Sequence, residues 1–366
     1  MPPNASSATS SVQEECDGLT AHLDCPKELQ AKIVAETKAI NKQLGIEDKV
    51  ERKRGFLDFG TKIIWQNAIA ITIFHILAFY YFLTFPFRKH LGLFFWGYIM
   101  GLIGGFGVTG GAHRYWTHRT YKANLPMRVI LMLSYCSAGQ NSIYDWVRDH
   151  RVHHKFSETD ADPHNSNRGF FFAHVGWLML RKHPEVIRKG REVDMSDVLA
   201  DPVVVFAEKY FVQLKLLTCF VLPVLFAVYA FDEDWYPAII TQWFLRYSLL
   251  LNITWSVNSA AHLWGVKPYD KNISPVENRF VSFWAMGEGW HNYHHVFPWD
   301  YKTAEFGHYQ LNTTTLLLDF FALFGWVYDR KQPSKELVKS VAQNRGDGNH
   351  GHSWWKEVSE PASKDD

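Results

Sequence analysis

Long apolar runs alternate with polar stretches along the chain and determine the architecture we expect. Windows of about 20 apolar residues, the length that crosses a bilayer as a helix, lie at about residues 63–85, 91–109, 214–231 and 237–257. Short polar links, at 86–90 and 232–236, join the first run to the second and the third to the fourth. The pattern predicts an all-α integral membrane protein with four transmembrane helices in two hairpins.

The charges that flank these runs indicate which side faces the cytosol. An acidic segment, 232–234, lies in the second link, whereas basic residues precede the first run, at Lys49, Arg52, Lys53, Arg54 and Lys62. The positive-inside rule then places both termini in the cytosol, although the basic pair at 88–89 argues weakly against this orientation. Because both links are short, the segments 110–213 and 258–345 are left to form a helical cytosolic cap.

Composition outside the four runs delimits the folded domain. The polar segment 1–50 is expected to be a disordered cytosolic tail and 346–366 a mobile tail, so the domain covers residues 51–345. The shorter apolar runs 125–136 and 316–326 have only about 12 residues each, too few to cross a bilayer. We expect them to form buried or interfacial helices.

Charge and cysteine content argue against several classes of protein. The chain has 38 Lys and Arg against 37 Asp and Glu, so its charge does not favour binding to nucleic acid. Its four cysteines form no CxxC pair, which argues against a thiolate zinc site and a disulfide scaffold. Arg246 lies inside the fourth run, where a charge is costly, and is expected to pair with a carboxylate or with backbone carbonyls.

Histidines occur in three compact groups after the second and fourth runs. The groups read HRYWTH from His113, HRVHH from His150 and HNYHH from His291. On a helix, positions i, i+3 and i+4 share a face, so each HxxHH is expected to direct three imidazoles toward one point. His113 and His118 differ, because five residues rotate by about 140° around an α-helix and cannot share a face unless the segment unwinds.

Topology brings these groups together. With four crossings, all three groups and His262 emerge on the cytosolic face. Nine imidazoles are too many for one ion and suit two. The remaining histidines are interpreted as ordinary surface or core residues, namely His22, His75, His90, His164, His174, His183, His308, His350 and His352.

Ligand type alone does not identify the metal, but the number of ligands favours a pair of irons over a catalytic zinc. Two Glu-x-x-His segments, ending at His291 and His308, match the motif of carboxylate-bridged di-iron proteins. We interpret both as accidental, because nearby glycines and a proline interrupt the long helices that such a site needs.

A formal GxGxxG at 105–110 ends an apolar run instead of following a strand, so the sequence indicates no nicotinamide or flavin site. Electrons must then come from outside the chain. An iron pair beside a membrane suits oxidation of an unactivated C–H bond in a lipid chain.

The histidine groups and their flanks closely resemble a known family. HRYWTH, HRVHH and HNYHH, together with HHKFSETDADPHN, RGFFFAHVGW, NSAAHLWG and GEGWHNYHHVFPWDY, are similar to the membrane acyl-CoA desaturases of the stearoyl-CoA (delta-9) type, the type 1 fatty acid desaturases. The resemblance runs from about residue 54 to about residue 348. It implies a mushroom shape, with four membrane helices as the stem and a helical cap that holds the metals.

The resemblance also implies the residues of the catalytic centre. Two irons would be bound directly by His113, His118, His150, His153, His154, His262, His291, His294 and His295. Asn258 would hold one iron through a water molecule. No flavin, nicotinamide or heme is expected in this chain.

Substrate contacts follow from the same resemblance. The acyl chain would lie in a kinked tunnel against Gln140, Asn141, Trp146, Thr254 and Trp255, and coenzyme A would meet Arg148, Asp149, Arg181 and Lys182. At the closed end, Gly101 and Gly105 stand where better-known members carry a bulky aromatic residue and an alanine. They would either deepen the tunnel, so that longer acyl chains are accepted, or pack the helix against a neighbour.

The implied reaction is the O2-dependent removal of two hydrogens from a saturated long-chain acyl-CoA, forming a cis double bond at delta-9. Cytochrome b5, with its NADH-dependent reductase, would supply electrons at the endoplasmic reticulum membrane. Because we find no His-Pro-Gly-Gly segment of a fused cytochrome b5, the donor should be a separate protein. Two alternatives remain: a hydroxylase of fatty chains or alkanes with the same iron pair, and a metal transporter with cytosolic histidines.

Overall fold

The computed structural model describes residues 60–305 and 309–350, which are mostly helical. The helices that contain the first three predicted spans are α1 Trp65–Thr84, α2 Leu91–Phe106, α9 Phe211–Lys215 and α10 Leu222–Phe231. A π-helix, Gly107–Thr117, extends α2, and a second, Leu216–Val221, joins α9 to α10. Between these spans lie α3 Leu125–Ser137, α4 Ile143–Phe156, α5 Trp177–Met179, α6 Pro184–Glu192, α7 Ser196–Leu199 and α8 Pro202–Lys209.

The C-terminal half follows the same pattern. A π-helix, Ile240–Leu245, joins α11 Trp235–Ile239 to α12 Arg246–Asn258. After it come α13 Ala260–Leu263, α14 Arg279–Trp284, α15 His291–Val296, α16 Thr313–Leu323 and α17 Lys335–Arg345. Shorter helical turns are the π-helix Phe172–Gly176 and the 3₁₀ helices Phe87–Lys89, Ser166–Arg168 and Tyr309–Leu311.

Three helices of the described part are long and apolar enough to cross a membrane: Trp65–Thr84, Leu91–Thr117 and Phe211–Phe231. They contain the first three predicted spans. In α1 only Ala78 is buried, so a helix with almost no charge exposes nearly all of its apolar surface. Such a surface belongs in lipid, and the chain is an α-helical membrane protein.

The fourth predicted span, 237–257, is helical but does not qualify by length and composition among the described helices. Its polar residues lower its hydropathy, and several of them face protein. Arg246 is buried and donates to the carbonyl oxygens of Gln242, at 3.0 Å, and of Ser137 and Cys219. These are the backbone carbonyl partners that the sequence led us to expect for this charge.

The two predicted links lie together at one end of the helices. His90, at the start of α2, places Nδ1 2.7 Å from Oε2 of Glu233, which precedes α11. α2 then runs away from this contact toward His113 at the far end of its π-helical extension. The links and the histidine groups therefore lie at opposite ends of α2.

The first short apolar run forms α3, which is largely buried, although Leu125 and Leu133 are exposed. Asn124 caps its N-terminus by accepting from the Met127 amide, and Pro126 fits the first turn because no amide hydrogen is needed there. α3 packs against α2 and its extension, where Gly107 leaves no room for a side chain beside the Tyr135 backbone. The second short run forms α16, with Leu316, Phe320 and Leu323 exposed.

Two details differ from the predicted architecture. Lys122–Ala123 (β1) pairs antiparallel with Val327–Tyr328 (β2), so the described fold is not purely helical. Residues 346–350, assigned to a mobile tail, are attached to the domain, because Lys267 and Asp347 exchange hydrogen bonds of 3.0 and 2.6 Å. The predicted tail 1–50 and the rest of the C-terminal tail lie outside the described residues.

Candidate metal centre and substrate cavity

A π-helix places the first pair of histidines side by side. His118 follows the π-helix Gly107–Thr117, and its amide donates to the His113 carbonyl at 3.2 Å. Because a π-helix joins residues i and i+5, residues five apart lie one above the other. The two ring centroids are 5.0 Å apart. The sequence allowed this pair to share a face only if the segment departed from α-helical winding, and the π-helix, which turns less per residue than an α-helix, is such a departure.

The nine histidines form two buried groups. The ligand atoms of each group lie within 4.8 Å of one another. The first, which we call the five-histidine group, is His113, His118, His150, His154 and His294; the second, the four-histidine group, is His153, His262, His291 and His295. The structure therefore brings together all nine residues that the sequence singled out.

Each HxxHH segment contributes to both groups, contrary to the expectation that it directs three rings to one point. In α4, His150 and His154 join the five-histidine group and His153 joins the other. Relative to residue i, position i+4 is rotated by about 40° one way and i+3 by about 60° the other way. α4 lies between the groups, and so does α15, which assigns His294 to one group and His295 to the other.

The ring nitrogens face one another at distances that suit a bound cation. The Nε2 atoms of His113 and His294 are 2.9 Å apart, and those of His262 and His291 are 3.0 Å apart. Burial, and then the neighbouring imidazoles, hold the pKa of His150 and His294 well below its usual value, so these rings are neutral. Neutral imidazole is the form that binds metal.

Several buried nitrogens have no hydrogen-bond partner within the described residues. They include Nε2 of His118, His150 and His153. Such an atom is costly to bury unless something satisfies it, and imidazole nitrogens that converge at these distances fit first-row transition metal ions. The two groups therefore fit two metal ions.

Carboxylates hold the outer nitrogen of three of these rings. Asp162 Oδ1 lies 2.9 Å from Nδ1 of His153, and Glu158 Oε1 lies 2.7 Å from Nδ1 of His262. Glu288 Oε2 lies 2.7 Å from Nδ1 of His113. Partners of this kind fix the ring orientation and direct Nε2 toward the metal. None of these three carboxylates was expected to support a metal ligand, although Glu158 and Asp162 lie within the HHKFSETDADPHN segment.

Glu288 does not act as the bridging carboxylate that a Glu-x-x-His motif would supply. The Arg114 guanidinium donates to its Oε1 at 2.8 and 3.0 Å. Burial raises the pKa of Glu288, but the Arg114 charge outweighs it and lowers the pKa. Glu305 of the second motif contacts Tyr269 and His350, and its partner in that motif, His308, lies outside the described residues.

A cavity of about 1310 Å³ extends from the histidine groups into the region of the membrane helices. His113, His150 and His291 line it near the metal-binding groups. All the residues assigned to the acyl chain line it as well, namely Gly101, Gly105, Gln140, Asn141, Trp146, Thr254 and Trp255, and so does Asn258. The site and the slot that the sequence predicted are thus one connected space.

Hydrogen bonds fix one wall of this cavity. Trp146 Nε1 donates to Oε1 of Gln140 at 3.0 Å, and Gln140 Nε2 donates to Oγ1 of Thr254 at 3.1 Å. These bonds join the loop before α4 to α12. A wall that is held in this way has a fixed shape, as positioning of a flexible alkyl chain requires.

Among the residues assigned to coenzyme A, Asp149 lines the cavity, whereas Arg148, Arg181 and Lys182 do not. Lys182 forms an ion pair with Asp149, and Arg148 contacts the same carboxylate at 3.2 Å. Arg181 is exposed. Arg148 and Lys182 therefore stand beside the cavity, one residue away from its wall.

The two glycines of α2 differ in their surroundings. A Cβ added to Gly101 would meet nothing within 4 Å, whereas one added to Gly105 would lie 2.6 Å from Sδ of Met286. Close helix packing depends instead on Gly104, whose added Cβ would lie 3.0 Å from Leu250, and on Gly107. Gly101 contributes open space to the cavity and is not a packing contact.

Comparison with known proteins agrees with this geometry. A family model described as fatty acid desaturase matches residues 89–331. The chain belongs to the fatty acid desaturase family. It is therefore an enzyme, and family membership excludes the metal-transporter alternative.

Individual relatives cover most of the chain. It is 46% identical to an acyl-CoA Delta-9 desaturase of Acheta domesticus over 362 residues, which cover 99% of this chain and 96% of that protein. It is 50% identical to an acyl-CoA Delta(11) desaturase of Trichoplusia ni, covering 80% of this chain and 84% of the relative. It is 48% identical to the stearoyl-CoA desaturase of Homo sapiens, covering 78% and 79%.

Proposed function

We propose that this desaturase introduces a cis double bond, at delta-9, into a saturated long-chain fatty acyl-CoA, in a reaction that consumes O2. The observation that carries the proposal is the single cavity, which joins the histidine groups to an apolar space beside Gly101. An alkyl chain calls for an apolar slot with few polar contacts. The names of the relatives, acyl-CoA and stearoyl-CoA desaturases, support the substrate class.

In this proposal the nine histidines hold two iron ions, with Asn258 acting on one of them through a water molecule. Iron held there would activate O2, the oxidant of the reaction, for removal of hydrogen from two unactivated C–H bonds. The protein holds His150 and His294 neutral by burial and orients His113, His153 and His262 through their carboxylate partners. The buried ring of Trp255 helps to exclude water from the slot.

Regiochemistry follows from where the substrate is anchored. Arg148, Arg181 and Lys182 offer cations to the phosphates of coenzyme A, with Asp149 aligning two of them. The alkyl chain then follows the wall formed by Gln140, Trp146 and Thr254. Since the anchored end and the wall are both fixed, the distance along the chain selects the carbon beside the metals.

The proposal also includes the membrane arrangement and the electron donor. α12 with its two preceding helical segments would form a fourth span, which completes two hairpins with a cytosolic cap in the endoplasmic reticulum membrane. The contact between His90 and Glu233, at the opposite end of α2 from the histidines, supports this arrangement. Cytochrome b5, with its NADH-dependent reductase, would deliver electrons to the cap.

Expression in a desaturase-deficient cell tests the function directly. We expect unsaturated 16- and 18-carbon acyl chains whose double bond lies at carbon 9, and two irons per purified chain. His294→Ala, which removes a ring that contacts His113 and His154, should abolish the product. A double bond at carbon 11 would correct the position only, whereas an oxygenated product would favour the hydroxylase.

A further inference from the structure

Four polar residues form a hydrogen-bonded chain beside the cavity, outside both histidine groups. Asn252 Nδ2 donates to Nε2 of His75 at 3.1 Å, and Asn252 Oδ1 accepts from Nε2 of His174 at 3.1 Å. His174 Nδ1 lies 2.9 Å from Oγ of Ser259. His75 belongs to α1, Asn252 to α12 and His174 to the π-helix Phe172–Gly176, so the chain connects three separate elements.

Neighbouring groups fix the roles of the Asn252 and His75 atoms in this hydrogen-bonded chain. Asn252 Nδ2 also donates to the Ser248 carbonyl at 2.8 Å, which leaves Oδ1 as the acceptor for His174. Nδ1 of His75 donates to the Ile71 carbonyl at 2.8 Å, so its Nε2 can only accept. One orientation of the Asn252 amide and one tautomer of His75 satisfy the bonds that these two residues make, which holds both side chains in place. The single hydroxyl hydrogen of Ser259 is shared between Nδ1 of His174 and the Trp255 carbonyl, which lies 3.0 Å away.

Two histidines of this hydrogen-bonded chain contact the indole of Trp255. The His75 ring stacks on it with centroids 5.8 Å apart and an interplanar angle of 29°, and the His174 ring meets it at 5.8 Å and 82°. Trp255 is buried, and it lines the cavity together with His75 and Asn252. Three other residues thus determine the position of an aromatic wall of the slot.

The stripe on α12 that faces these partners is polar. Ser248, Asn252 and Trp255 of α12 and its C-cap residue Ser259 follow one another at helical spacing. Asn252 and Ser259 contribute side chains to the hydrogen bonds just described, and Ser248 contributes its backbone carbonyl. α1 has almost no other polar contact along its apolar length, and His75 is its only histidine. An ionisable residue at such a position is costly in a membrane helix and marks a functional site by default.

We propose that His75, Asn252 and His174 are positioning residues, which fix the Trp255 indole against the acyl chain and so contribute to which carbon stands at the metal centre. The inference rests on the proposed function and deepens it. Without the Asn252 amide, the two imidazoles lose their common partner and the indole loses its support on that side. An acyl chain lying against a displaced wall can then shift along the slot.

Asn252→Leu tests this role, because leucine is similar in size and removes all three hydrogen bonds of the amide. Gln242→Leu is the matched control: it is also an amide in the same helical run, it is buried, and it does not line the cavity. We expect Asn252→Leu to raise the share of product with a displaced double bond about tenfold, with iron per chain unchanged. Gln242→Leu should keep the double-bond distribution of the unmodified enzyme.

His75→Phe provides a second variant in case Asn252→Leu fails to fold. It keeps an aromatic ring against Trp255 but removes the bond to Asn252, and it should displace the double bond in the same direction. Both substitutions interrupt the same hydrogen-bonded network. The share of product with a displaced double bond should therefore be similar in the double variant and in the stronger single variant. If both variants keep the original double-bond distribution and change only the rate, the inference is wrong.

The other outcomes also separate the explanations. Displacement of the same size in Gln242→Leu would overturn the inference, since any disturbance of this helix would then have the same effect. Complete absence of unsaturated product from the unmodified enzyme would overturn the proposed function, and this inference with it.

Discussion

Gly101 of α2 lines the cavity and has open space beside it. No neighbouring heavy atom lies within 4 Å of the position that a Cβ would occupy at this residue. The sequence left two interpretations of Gly101, a deeper acyl tunnel and close helix packing. The open space beside it favours the deeper tunnel. The packing interpretation applies instead to Gly104 and Gly107, further along the helix.

Gly101→Tyr should shorten the acyl chain that the enzyme accepts. A tyrosine ring would occupy the open space, and forcing a long chain past it would cost about 1–3 kcal/mol, as overpacking does. We expect the ratio of 18-carbon to shorter products to fall about tenfold, which corresponds to ~1.4 kcal/mol. Gas chromatography of products from mixed acyl-CoA substrates measures this ratio.

Gly92→Tyr is the control for this change, because Gly92 lies on the same helix, also has nothing within 4 Å, and does not line the cavity. It should leave the chain-length profile unchanged. An unaltered profile in Gly101→Tyr would instead count against the deeper slot.

Asp162 shows how a residue outside the metal-binding groups can control them. Asp162→Asn should lower metal affinity of the four-histidine group about 10- to 100-fold, as the loss of such a partner does elsewhere. The reason is that His153 loses the carboxylate that orients its ring at 2.9 Å. Iron content after dialysis against a graded chelator measures the effect, with one of two irons lost early.

Asp160→Asn changes an exposed carboxylate in the same segment and serves as the control. Equal iron retention in both variants would mean that Asp162 does not support the metal site.

At the level of elements, the π-helix Gly107–Thr117 is what the sequence could not show. The length of the apolar runs predicted the extent of α1 and α2 well, because lipid-facing helices need only length and apolar composition. It gave no sign of a change in helical pitch, which depends on how Gly107 and its neighbours pack against α3. The same limit applies to α4 and α15: spacing identified the nine histidines, but dividing them between two groups required the position of the helix axes.

Gly107→Ala should destabilise the junction between α2 and α3. Its Cβ would overlap the backbone of Tyr135, which cannot move aside as a flexible side chain could. We expect a loss of about 1–3 kcal/mol in stability, seen as a lower thermal midpoint in detergent, together with lower iron content because His113 shifts. Gly92→Ala, on the same helix with open space, should be neutral, and equal midpoints for the two variants would contradict the packing argument.

Asp197 ties three elements around the histidines. Arg151 of α4 donates to its two oxygens at 2.9 and 2.8 Å, and Arg119, after the π-helix, donates at 2.6 Å. Partial burial raises the pKa of Asp197, but these hydrogen bonds outweigh it and lower the pKa from 3.8 to about 2. A lowered carboxyl pKa stabilises the fold above the unfolded value, and this stabilisation is lost as the pH falls from about 4 through about 2.

Asp197→Asn should therefore lower the thermal midpoint at pH 7, and the difference from the unmodified enzyme should shrink as the pH falls below about 4. Thermal unfolding across this pH range measures the difference, and Asp160→Asn should show none. A difference that stays constant down to pH 2 would mean that the Asp197 charge does not contribute.

At the scale of the whole molecule, the proposed four-span arrangement makes a prediction about sides. The links around His90 and Glu233 meet at one end of α2, and the histidine groups lie at the other. In the proposed function the metal centre receives its electrons from a donor on the cytosolic side, so both links are expected to face the opposite compartment. Buried Arg246 does not prevent the fourth crossing, because backbone carbonyls already satisfy its guanidinium.

A protease-sensitive epitope inserted in either link should survive when protease is added to sealed microsomes. The same epitope inserted after Gly348, beyond α17, should be digested, and detergent should make all three sensitive. If the link before α11 is digested in sealed vesicles while the link before α2 is protected, then the helix Phe211–Phe231 does not cross, and the stem has fewer than four spans. Protection of the site after Gly348 together with both links would mean that α12 does not cross. Digestion of both links with protection of the third site would reverse the orientation and place the iron centre away from its electron donor.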